Sequence, residues 1–285
     1  MSVLAAIVDN TRKRVAERRA LLPLPELKAR LADAPDTRSL HDAMKKGFGV
    51  IAEFKRRSPS GGDSDPKNLA RALETYAEAP WVVGISVLTD EDYFGGTLAD
   101  LGVARDATKK PILRKDFVVD EYQVVEARVH GADAILLMAS VLANEPARMK
   151  ELYDLARSLG LDVLCELGMT ERRVEDLVAV VPPEARIWGV NARQFARAPG
   201  EEKRAFTPGE KHHLPTDLRA HTDFRALIPP GKLAVAESGI HTAEELSAAR
   251  SAGYDAALIG TAFLKPGVGI GSVTAELARA FRDPV

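Results

Sequence analysis

The chain has 285 residues, of which 46% are hydrophobic and 28% are charged, and its formal net charge is −2. This composition is ordinary for a globular protein and gives no indication of nucleic-acid or anionic-membrane binding. The apolar runs are no longer than a strand, so none is predicted to span a bilayer. We therefore expect a protein without nucleic-acid or membrane partners.

Residues 1–48 are predicted to form a helical extension that packs on the rest of the protein and covers one end of it. The apolar positions behind this prediction are Leu4, Ile7, Val8 and Val15 in one stripe and Leu24, Leu27 and Leu31 in another. Basic residues follow the first apolar stretch instead of preceding it, so we expect no secretory signal.

From residue 49 onward, eight short apolar runs alternate with helical patterns. The eight predicted strands are 50–54, 82–88, 111–113, 134–139, 163–167, 187–190, 233–236 and 256–259. They do not alternate strictly between apolar and polar residues, which is typical of parallel strands covered on both faces. Residues 49–285 are therefore predicted to form a (β/α)8 barrel, the catalytic domain of an α/β protein. A doubly wound open sheet is the alternative, although no G-x-G-x-x-G follows the first strand.

Local signals place the ends of several helices between these strands. Thr242 and Glu245 have the spacing of a capping box, and Thr170 is predicted to cap the helix after the fifth strand. Left-handed C-caps are predicted at Gly131, Gly160 and Gly253. Residues 131–134 and 253–256 share a pattern of glycine, one residue, aspartate and alanine, which indicates either a repeated unit or a common loop solution.

The single cysteine, Cys165, rules out an internal disulfide and is typical of a protein of the reducing cytoplasm. It lies in an apolar run, so we expect a core residue and not a nucleophile.

The segment near 196–223 is rich in charge and proline and lengthens the sixth βα connection well beyond the usual few residues. Such a segment is either a lid over the catalytic end or a lineage-specific insert without order. His212 and His213 lie in it, but no cysteine or carboxylate pattern accompanies them, so we expect a solvated loop and no metal site.

Polar residues follow six of the eight strands, where the active sites of such barrels lie. They are Glu53, Lys55 and Ser58, then Lys115 and Asp116, then Glu166, Asn191 and Arg193, then Glu237, Ser238 and Gly239, and finally Gly260 and Thr261. A single strand-end lysine is often only a solvated cap, but six polar strand ends facing one mouth indicate a site. The two glycine pairs suit phosphate binding by backbone N–H groups, although two tight turns would have the same sequence. A lysine that is desolvated beside another lysine is expected to become a better proton donor.

Four sequence blocks resemble indole-3-glycerol phosphate synthases. They are Ile51-Ala52-Glu53-Phe54-Lys55-Arg56-Arg57-Ser58-Pro59-Ser60, Leu113-Arg114-Lys115-Asp116-Phe117, Ala236-Glu237-Ser238-Gly239-Ile240 and Ile259-Gly260-Thr261-Ala262, joined by the pair Cys165-Glu166. The first two blocks are highly specific, and the similarity covers nearly the whole chain.

The resemblance implies a carboxy-lyase of tryptophan biosynthesis that needs no cofactor or metal. It converts 1-(2-carboxyphenylamino)-1-deoxyribulose 5-phosphate to indole-3-glycerol phosphate by ring closure, decarboxylation and dehydration. The implied catalytic residues are Lys115 as general acid, Glu166 and Lys55 in the dehydration without a fixed direction of proton transfer, Glu53 as a positioning carboxylate, and Asn191. The implied substrate contacts are Ser58, Arg193, Glu237 and the aromatic walls Phe94 and Phe117, with Ser238, Gly239, Gly260 and Thr261 around the phosphate.

One block departs from the family pattern. The family usually has Asp-Leu where this chain has Gln194-Phe195, which puts the support of the sixth loop in question.

Two further hypotheses remain open at the level of sequence. One is an aldolase in which Lys115 or Lys55 forms a Schiff base with a sugar phosphate. The other is a paralogue that binds a phosphorylated ligand without converting it. In each case the expected partner is a small phosphorylated molecule, and we expect a monomer, although the sequence does not fix the oligomeric state.

Overall fold

The computed structural model describes residues 3–58, 62–170, 172–194 and 215–282. Its centre is a closed barrel of eight parallel strands, in which each strand pairs with the next and the last pairs with the first. The strands are β1 (Gly49–Phe54), β2 (Val82–Leu88), β3 (Ile112–Lys115), β4 (Ala134–Met138), β5 (Asp162–Met169), β6 (Ile187–Gln194), β7 (Leu233–Glu237) and β8 (Ala256–Ile259). The predicted barrel is confirmed, and the open sheet is wrong.

Helices precede the barrel and alternate with its strands. They are α1 (Val3–Leu21), α2 (Leu24–Ala29), α3 (Leu40–Met44), α4 (Pro66–Glu78), α5 (Glu91–Phe94), α6 (Ala99–Ala107), α7 (Glu121–Val129), α8 (Pro146–Ser158), α9 (Val174–Val178), α10 (Arg219–Asp223), α11 (Ala243–Ser251), α12 (Thr261–Leu264) and α13 (Ile270–Leu277). Three 3-10 turns (Arg30–Asp33, Arg225–Leu227, Ala278–Phe281) and a short antiparallel hairpin (Arg57–Ser58 with Gly62–Asp63) complete the described elements. Among the described residues, no helix is both long and apolar enough to cross a bilayer.

Several strands run further toward their carboxyl ends than the apolar runs predict. β6 continues through Asn191 to Gln194, and β5 continues to Met169, because Gly168 pairs with Asn191 and Met169 pairs with Gln194. The backbone ladder thus extends beyond the point where side chains change from packing residues to polar site residues.

The predicted helix signals are mostly confirmed. Thr242 and Glu245 form a reciprocal capping box, and all three predicted C-cap glycines have positive φ. The prediction for Thr170 is wrong. Helix α9 begins only after Arg173, whereas the Thr170 hydroxyl accepts a hydrogen bond from the Arg172 N–H within a local turn.

The repeated glycine–aspartate pattern has a structural meaning. Asp133 accepts a hydrogen bond from the Ile112 N–H at 2.8 Å, and Asp255 accepts one from the Ala234 N–H at 2.8 Å. In both loops, an aspartate just before one strand therefore accepts a backbone hydrogen bond from the start of the neighbouring strand that comes earlier in the chain.

The N-terminal segment contacts both ends of the barrel. Leu4 and Ile7 of α1 pack into the apolar cluster inside the barrel near the carboxyl ends of the strands. Leu40 and Met44 of α3 pack into the same cluster near the amino ends. Between α2 and α3, the Arg38 N–H donates to Asp133 at 2.8 Å. These contacts seat the extension across the barrel.

Parts of the predicted features lie outside the described residues. They are Pro59, Ser60, Phe195, His212, His213 and the stretch 196–214 of the sixth connection. The end of that connection is described, and Thr216 there forms an antiparallel bridge with Arg193 before α10 begins.

Candidate active site

A cavity of about 250 Å³ opens at the carboxyl ends of the strands. All the predicted site residues except Glu166 and Ser58 line it: Glu53, Lys55, Phe94, Lys115, Phe117, Asn191, Arg193, Glu237, Ser238, Gly239, Gly260 and Thr261. These residues come from six strand ends or the loops after them and meet in one place, as the polar strand ends predict.

The first polar group in the cavity is built by β1 and β8. Lys55 Nζ lies 2.6 Å from Glu53 Oε1 and donates to Thr261 Oγ1 at 3.1 Å. Residues two apart share a face of a strand, so both side chains point into the barrel. Burial disfavours the ionised form of Glu53, but Lys55 and Lys115 outweigh it and lower the pKa of Glu53.

The second polar group is built by β3, β5 and β7. Lys115 Nζ lies 3.3 Å from Glu166 Oε2 and 3.7 Å from Glu237 Oε2. Glu166 is fully buried behind Lys115 and does not line the cavity wall, whereas Lys115 and Glu237 do. An ammonium group at the cavity surface is thus backed by carboxyl groups from two other strands.

The two lysines differ in the charges that surround them. Burial lowers the pKa of Lys55, and nearby Arg193 and Lys115 lower it further, against the effect of Glu53. Burial also disfavours the charged form of Lys115, but Glu166, Glu237 and Glu53 together raise its pKa. The sequence predicts that a desolvated lysine beside another lysine has a lowered pKa and donates its proton more readily. The direction of the pKa shift agrees with this prediction for Lys55. It is opposite for Lys115, because three carboxyl groups surround Lys115.

Asn191 organises the sixth and seventh strand ends. Its Oδ1 accepts hydrogen bonds from the Ser238 hydroxyl at 2.8 Å and from the Arg193 N–H at 3.0 Å. With the carbonyl oxygen committed to these two donors, the amide NH2 group is the part of Asn191 available to a ligand.

The turn after β7 has a backbone conformation that few residues adopt. Ser238 has φ of 68°, the one non-glycine residue with positive φ in the described part of the chain, and Gly239 follows with φ of 82°. Strained non-glycine backbone of this kind clusters at functional sites, and both residues line the cavity.

Gly260 packs against Glu53, and its predicted contact with a phosphate stays a prediction. A Cβ atom at residue 260 would lie 2.2 Å from Glu53 Oε1, so the glycine makes room for the Glu53 carboxylate. The close approach that this glycine allows is to a side chain of β1.

Sequence reasoning missed the support behind Lys115. Arg114, on the opposite face of β3, is fully buried and lies 2.8 Å from Asp116 Oδ2 and 3.0 Å from Glu126 Oε2. Glu126 in turn lies 2.8 Å from Arg18 of α1. A charged residue beside Lys115 in a buried strand was the available signal, because such a residue requires a partner.

The apolar wall of the cavity contains the rings of Phe94 and Phe117, with centroids 6.3 Å apart. Ile7 of α1, Met138 of β4 and His241 also line the cavity and were not predicted to do so. Ile7 was identified only as a packing position, because no local pattern tells which end of the barrel a helix covers.

Ser58 lies outside the main cavity. It is buried and faces an adjoining recess of about 40 Å³ that also contacts Lys55 and Thr261. Its predicted contact with substrate stays a prediction.

Residues 4–200 of the chain match the family model described as indole-3-glycerol phosphate synthase. A protein of that name from Saccharopolyspora erythraea is 39% identical over 262 residues, covering 91% of this chain and 89% of the relative. Its namesake from Nocardioides is 41% identical over 282 residues, covering 96% and 97% of the two chains. A third, from Lachnospira eligens, is 36% identical over 280 residues, with 92% of each chain covered.

Proposed function

The chain belongs to the indole-3-glycerol phosphate synthase family, and we propose that the cavity described above carries out the family's reaction with Lys115 as its central acid. The enzyme is a carboxy-lyase of tryptophan biosynthesis that forms indole-3-glycerol phosphate. The observation that carries the assignment of roles is the position of Lys115, which faces the cavity while Glu166 lies 3.3 Å behind it.

Ring closure is the first step. The aromatic carbon that bears the carboxylate attacks the ketone carbon of the sugar, and the carbon–oxygen double bond opens. Lys115 gives its proton to the developing alkoxide, so that an alcohol forms and Lys115 becomes a neutral amine. Glu53 lies on the β1 side of the same cavity, where it keeps Lys55 in place at 2.6 Å.

Decarboxylation and dehydration complete the reaction. The carboxylate leaves as carbon dioxide, and its bonding electrons restore the aromatic ring. The new hydroxyl then leaves as water, for which Lys55 donates a proton, while Glu166 accepts the proton released when the indole ring forms. Burial and neighbouring cations lower the pKa of Lys55, which favours its role as donor in this step.

The phosphate is placed at the turns after β7 and β8. Ser238, Gly239, Gly260 and Thr261 line the cavity there, and Arg193 lines its neighbouring wall. Phe94 and Phe117 offer apolar surface for the anthranilate ring. The substrate thus lies with its anionic end toward β7 and β8 and its ring toward β2 and β3.

Turnover of the synthetic carboxyphenylamino substrate by the purified chain tests this proposal. We expect indole-3-glycerol phosphate fluorescence to appear together with equal amounts of carbon dioxide. Borohydride added during turnover is the control for the Schiff-base alternative, because our mechanism forms no covalent adduct. Substrate binding without product, or a trapped lysine adduct, would contradict the proposal.

We further propose that the protein acts in the cytoplasm, since its lone thiol, Cys165, is buried and unpaired. We also propose a monomer as the active unit, because the groups assigned to the reaction all come from the strand ends of one closed barrel.

A further inference from the structure

Two carboxyl groups and one ammonium group form the cluster at Lys115. Glu166 and Glu237 are both almost completely buried, so neither charge is screened by solvent. Lys115 Nζ is hydrogen-bonded to Glu166 Oε2 at 3.3 Å, but its distance of 3.7 Å to Glu237 Oε2 exceeds a hydrogen bond. Lys115 therefore donates a hydrogen bond to Glu166 and none to Glu237.

The oxygens of Glu237 have no donor. Among the described residues, no N–H or O–H group lies within hydrogen-bond distance of Glu237 Oε1 or Oε2, and Glu166 Oε1 is likewise without one. Glu237 Oε1 also packs tightly on β6, because a Cβ atom at Gly189 would lie 2.1 Å from it. A buried carboxylate without donors is very costly, whereas a neutral carboxylic acid needs only one acceptor for its proton.

Glu53 is the natural comparison within the same cavity. It too packs against a glycine, with 2.2 Å between its Oε1 and a Cβ built on Gly260, but it has Lys55 Nζ at 2.6 Å. Glu53 thus has the partner that an ionised carboxylate requires, and Glu237 does not. The carboxyls of Glu166 and Glu237 both approach Lys115 Nζ, at 3.3 and 3.7 Å, and two ionised carboxylates at this place offer no proton for a hydrogen bond between them.

We propose that Glu237 is a neutral carboxylic acid in the resting enzyme and that its proton is donated to Glu166. Glu166 then accepts one hydrogen bond from Lys115 and one from Glu237, and the pair of carboxyls carries a single negative charge. The inference deepens the proposed function and rests on it only for its effect on turnover.

The surroundings of Glu237 favour this state on balance. Burial raises the pKa of Glu237 well above its usual range, the negative charge of Glu166 and more distant Glu53 add to the rise, and Lys115 opposes it. On the outer side, His221 contacts only the backbone carbonyl of Glu237, and burial lowers the pKa of that imidazole. Tyr254 donates its hydroxyl proton to the His221 carbonyl.

A neutral Glu237 would make it easier for Lys115 to release its proton than an ionised Glu237 would. With both carboxyls ionised, Lys115 would be flanked by two negative charges and would release its proton to the substrate less readily. With Glu237 neutral, one of these charges is removed while Glu166 remains able to accept a proton. Glu237 is in this sense a positioning residue that acts through Glu166 and Lys115.

Infrared spectroscopy of the free enzyme tests the protonation directly. With carbon-13 in the side-chain carboxyls of glutamate alone, we expect an isotope-shifted carbonyl band of a protonated carboxyl at neutral pH. The band should disappear in Glu237→Gln and persist in Glu53→Gln, the matched control. Should Glu237→Gln not fold, Glu237→Asp serves instead, because it moves the protonated group to an unlabelled residue. Absence of the band in the parent, or its persistence without Glu237, would overturn the inference.

Turnover gives an independent readout. Glutamine resembles a neutral acid, so Glu237→Gln should lower kcat by no more than about tenfold, whereas Glu166→Gln should lower it by at least about a hundredfold. The alkaline limb of the kcat profile should also move to higher pH in Glu237→Gln, because ionisation of residue 237 no longer occurs. Equal losses in the two variants with an unmoved limb would contradict the assignment. A parent enzyme that forms no product would instead refute the proposed function and leave the infrared result unaffected.

Discussion

Lys115 and Lys55 carry the same ammonium group and owe their different chemistry to neighbouring carboxyls. Lys55 has one carboxylate at 2.6 Å and two nearby cations, whereas Lys115 has carboxyls from two strands at 3.3 and 3.7 Å. The sequence identifies both lysines, since charged residues at the ends of apolar strands are unusual. The sequence also places Glu53 two residues from Lys55, but it does not tell which carboxyls surround Lys115, because those come from residues more than fifty positions away.

The hydroxyl of Ser238 is expected to matter for substrate binding more than for chemistry. Ser238→Ala removes its hydrogen bond to Asn191 Oδ1, which holds the turn that we propose binds the phosphate, and should raise KM about tenfold with little change in kcat. Steady-state kinetics measure this directly. A normal KM with a strongly reduced kcat would show that Ser238 has another role.

Ser238→Gly is the matched variant, because φ of 68° costs a non-glycine residue about 1 kcal/mol and glycine nothing. It should show the same rise in KM, and its free energy of unfolding should exceed that of Ser238→Ala by about 1 kcal/mol.

Asp90 gives a pH-dependent prediction. Burial, then the nearby charge of Asp116, raise its pKa to about 7, although the Tyr93 and Phe94 N–H groups oppose the rise. The unfolded chain loses this proton at about pH 4, so folding stability should fall as the pH rises from about 4 to about 7. Asp90→Asn should therefore raise the free energy of unfolding by about 2 to 4 kcal/mol at about pH 8 and by less at about pH 5.

Denaturant unfolding of both proteins at the two pH values measures this difference. The amide oxygen of asparagine can still cap α5, so loss of the cap does not confound the comparison. A gain that does not change with pH would show that Asp90 is not neutral in the folded protein.

At the scale of elements, β3 joins the site to the outer layer. Lys115 faces the cavity, while Arg114 on the other face binds Asp116 and Glu126, and Glu126 reaches Arg18 of α1. Because side chains alternate along a strand, neighbouring residues of β3 place Lys115 in the cavity and Arg114 against the outer helices. The sequence predicts the strand and its lysine, but the partners of Arg114 depend on how α1 and α7 pack, which local patterns do not determine.

The segment between α2 and α3 depends on the first residue of β5. Buried Asp162 accepts hydrogen bonds from the Ser39 hydroxyl at 3.1 Å and the His41 N–H at 2.9 Å, and from Arg157 at 2.6 Å. Asp162→Ala should lower the free energy of unfolding by about 2 to 3 kcal/mol, since several donors lose a charged acceptor. Denaturant unfolding measures the loss.

Asp154→Ala is the matched control for this variant, because in the described part of the chain Asp154 pairs with Lys150 at the exposed surface. Its cost should stay below about 1 kcal/mol. A similar cost for both variants would mean that Asp162 does not hold the N-terminal segment.

At the scale of the whole molecule, eight apolar runs predicted parallel strands covered on both faces. An open sheet has the same pattern, so the prediction of a closed barrel also depended on the size of the eight units and on the missing G-x-G-x-x-G. The strand ends were predicted too short, since β6 continues pairing through Asn191 and Gln194 after its residues become polar. Which end of the barrel the N-terminal helices cover was also beyond local patterns, because it is fixed by contacts distant in sequence, such as Arg18 with Glu126.

The extension and the barrel are predicted to unfold as one unit. Leu4 and Ile7 pack into the cluster inside the barrel, and Asp133 and Asp162 hold the segment that follows. Both tryptophans, Trp81 and Trp188, lie after residue 48, so their fluorescence reports on the barrel, whereas far-UV circular dichroism reports on all helices. The two denaturant transitions should coincide. An earlier helical transition without a change in fluorescence would mean that the extension unfolds separately.

The central claim is that acids and bases from separate strands act together in one cavity, with Lys115 as the proton donor of ring closure. Its most direct test is a comparison of the parent with Lys115→Ala, in which substrate affinity and the rate of indole-3-glycerol phosphate formation are both measured in a single turnover. We expect affinity to stay within about threefold while the rate falls by about a hundredfold or more, and the exposed Lys109→Ala to match the parent. Product formation by Lys115→Ala at the parent's rate would contradict the account.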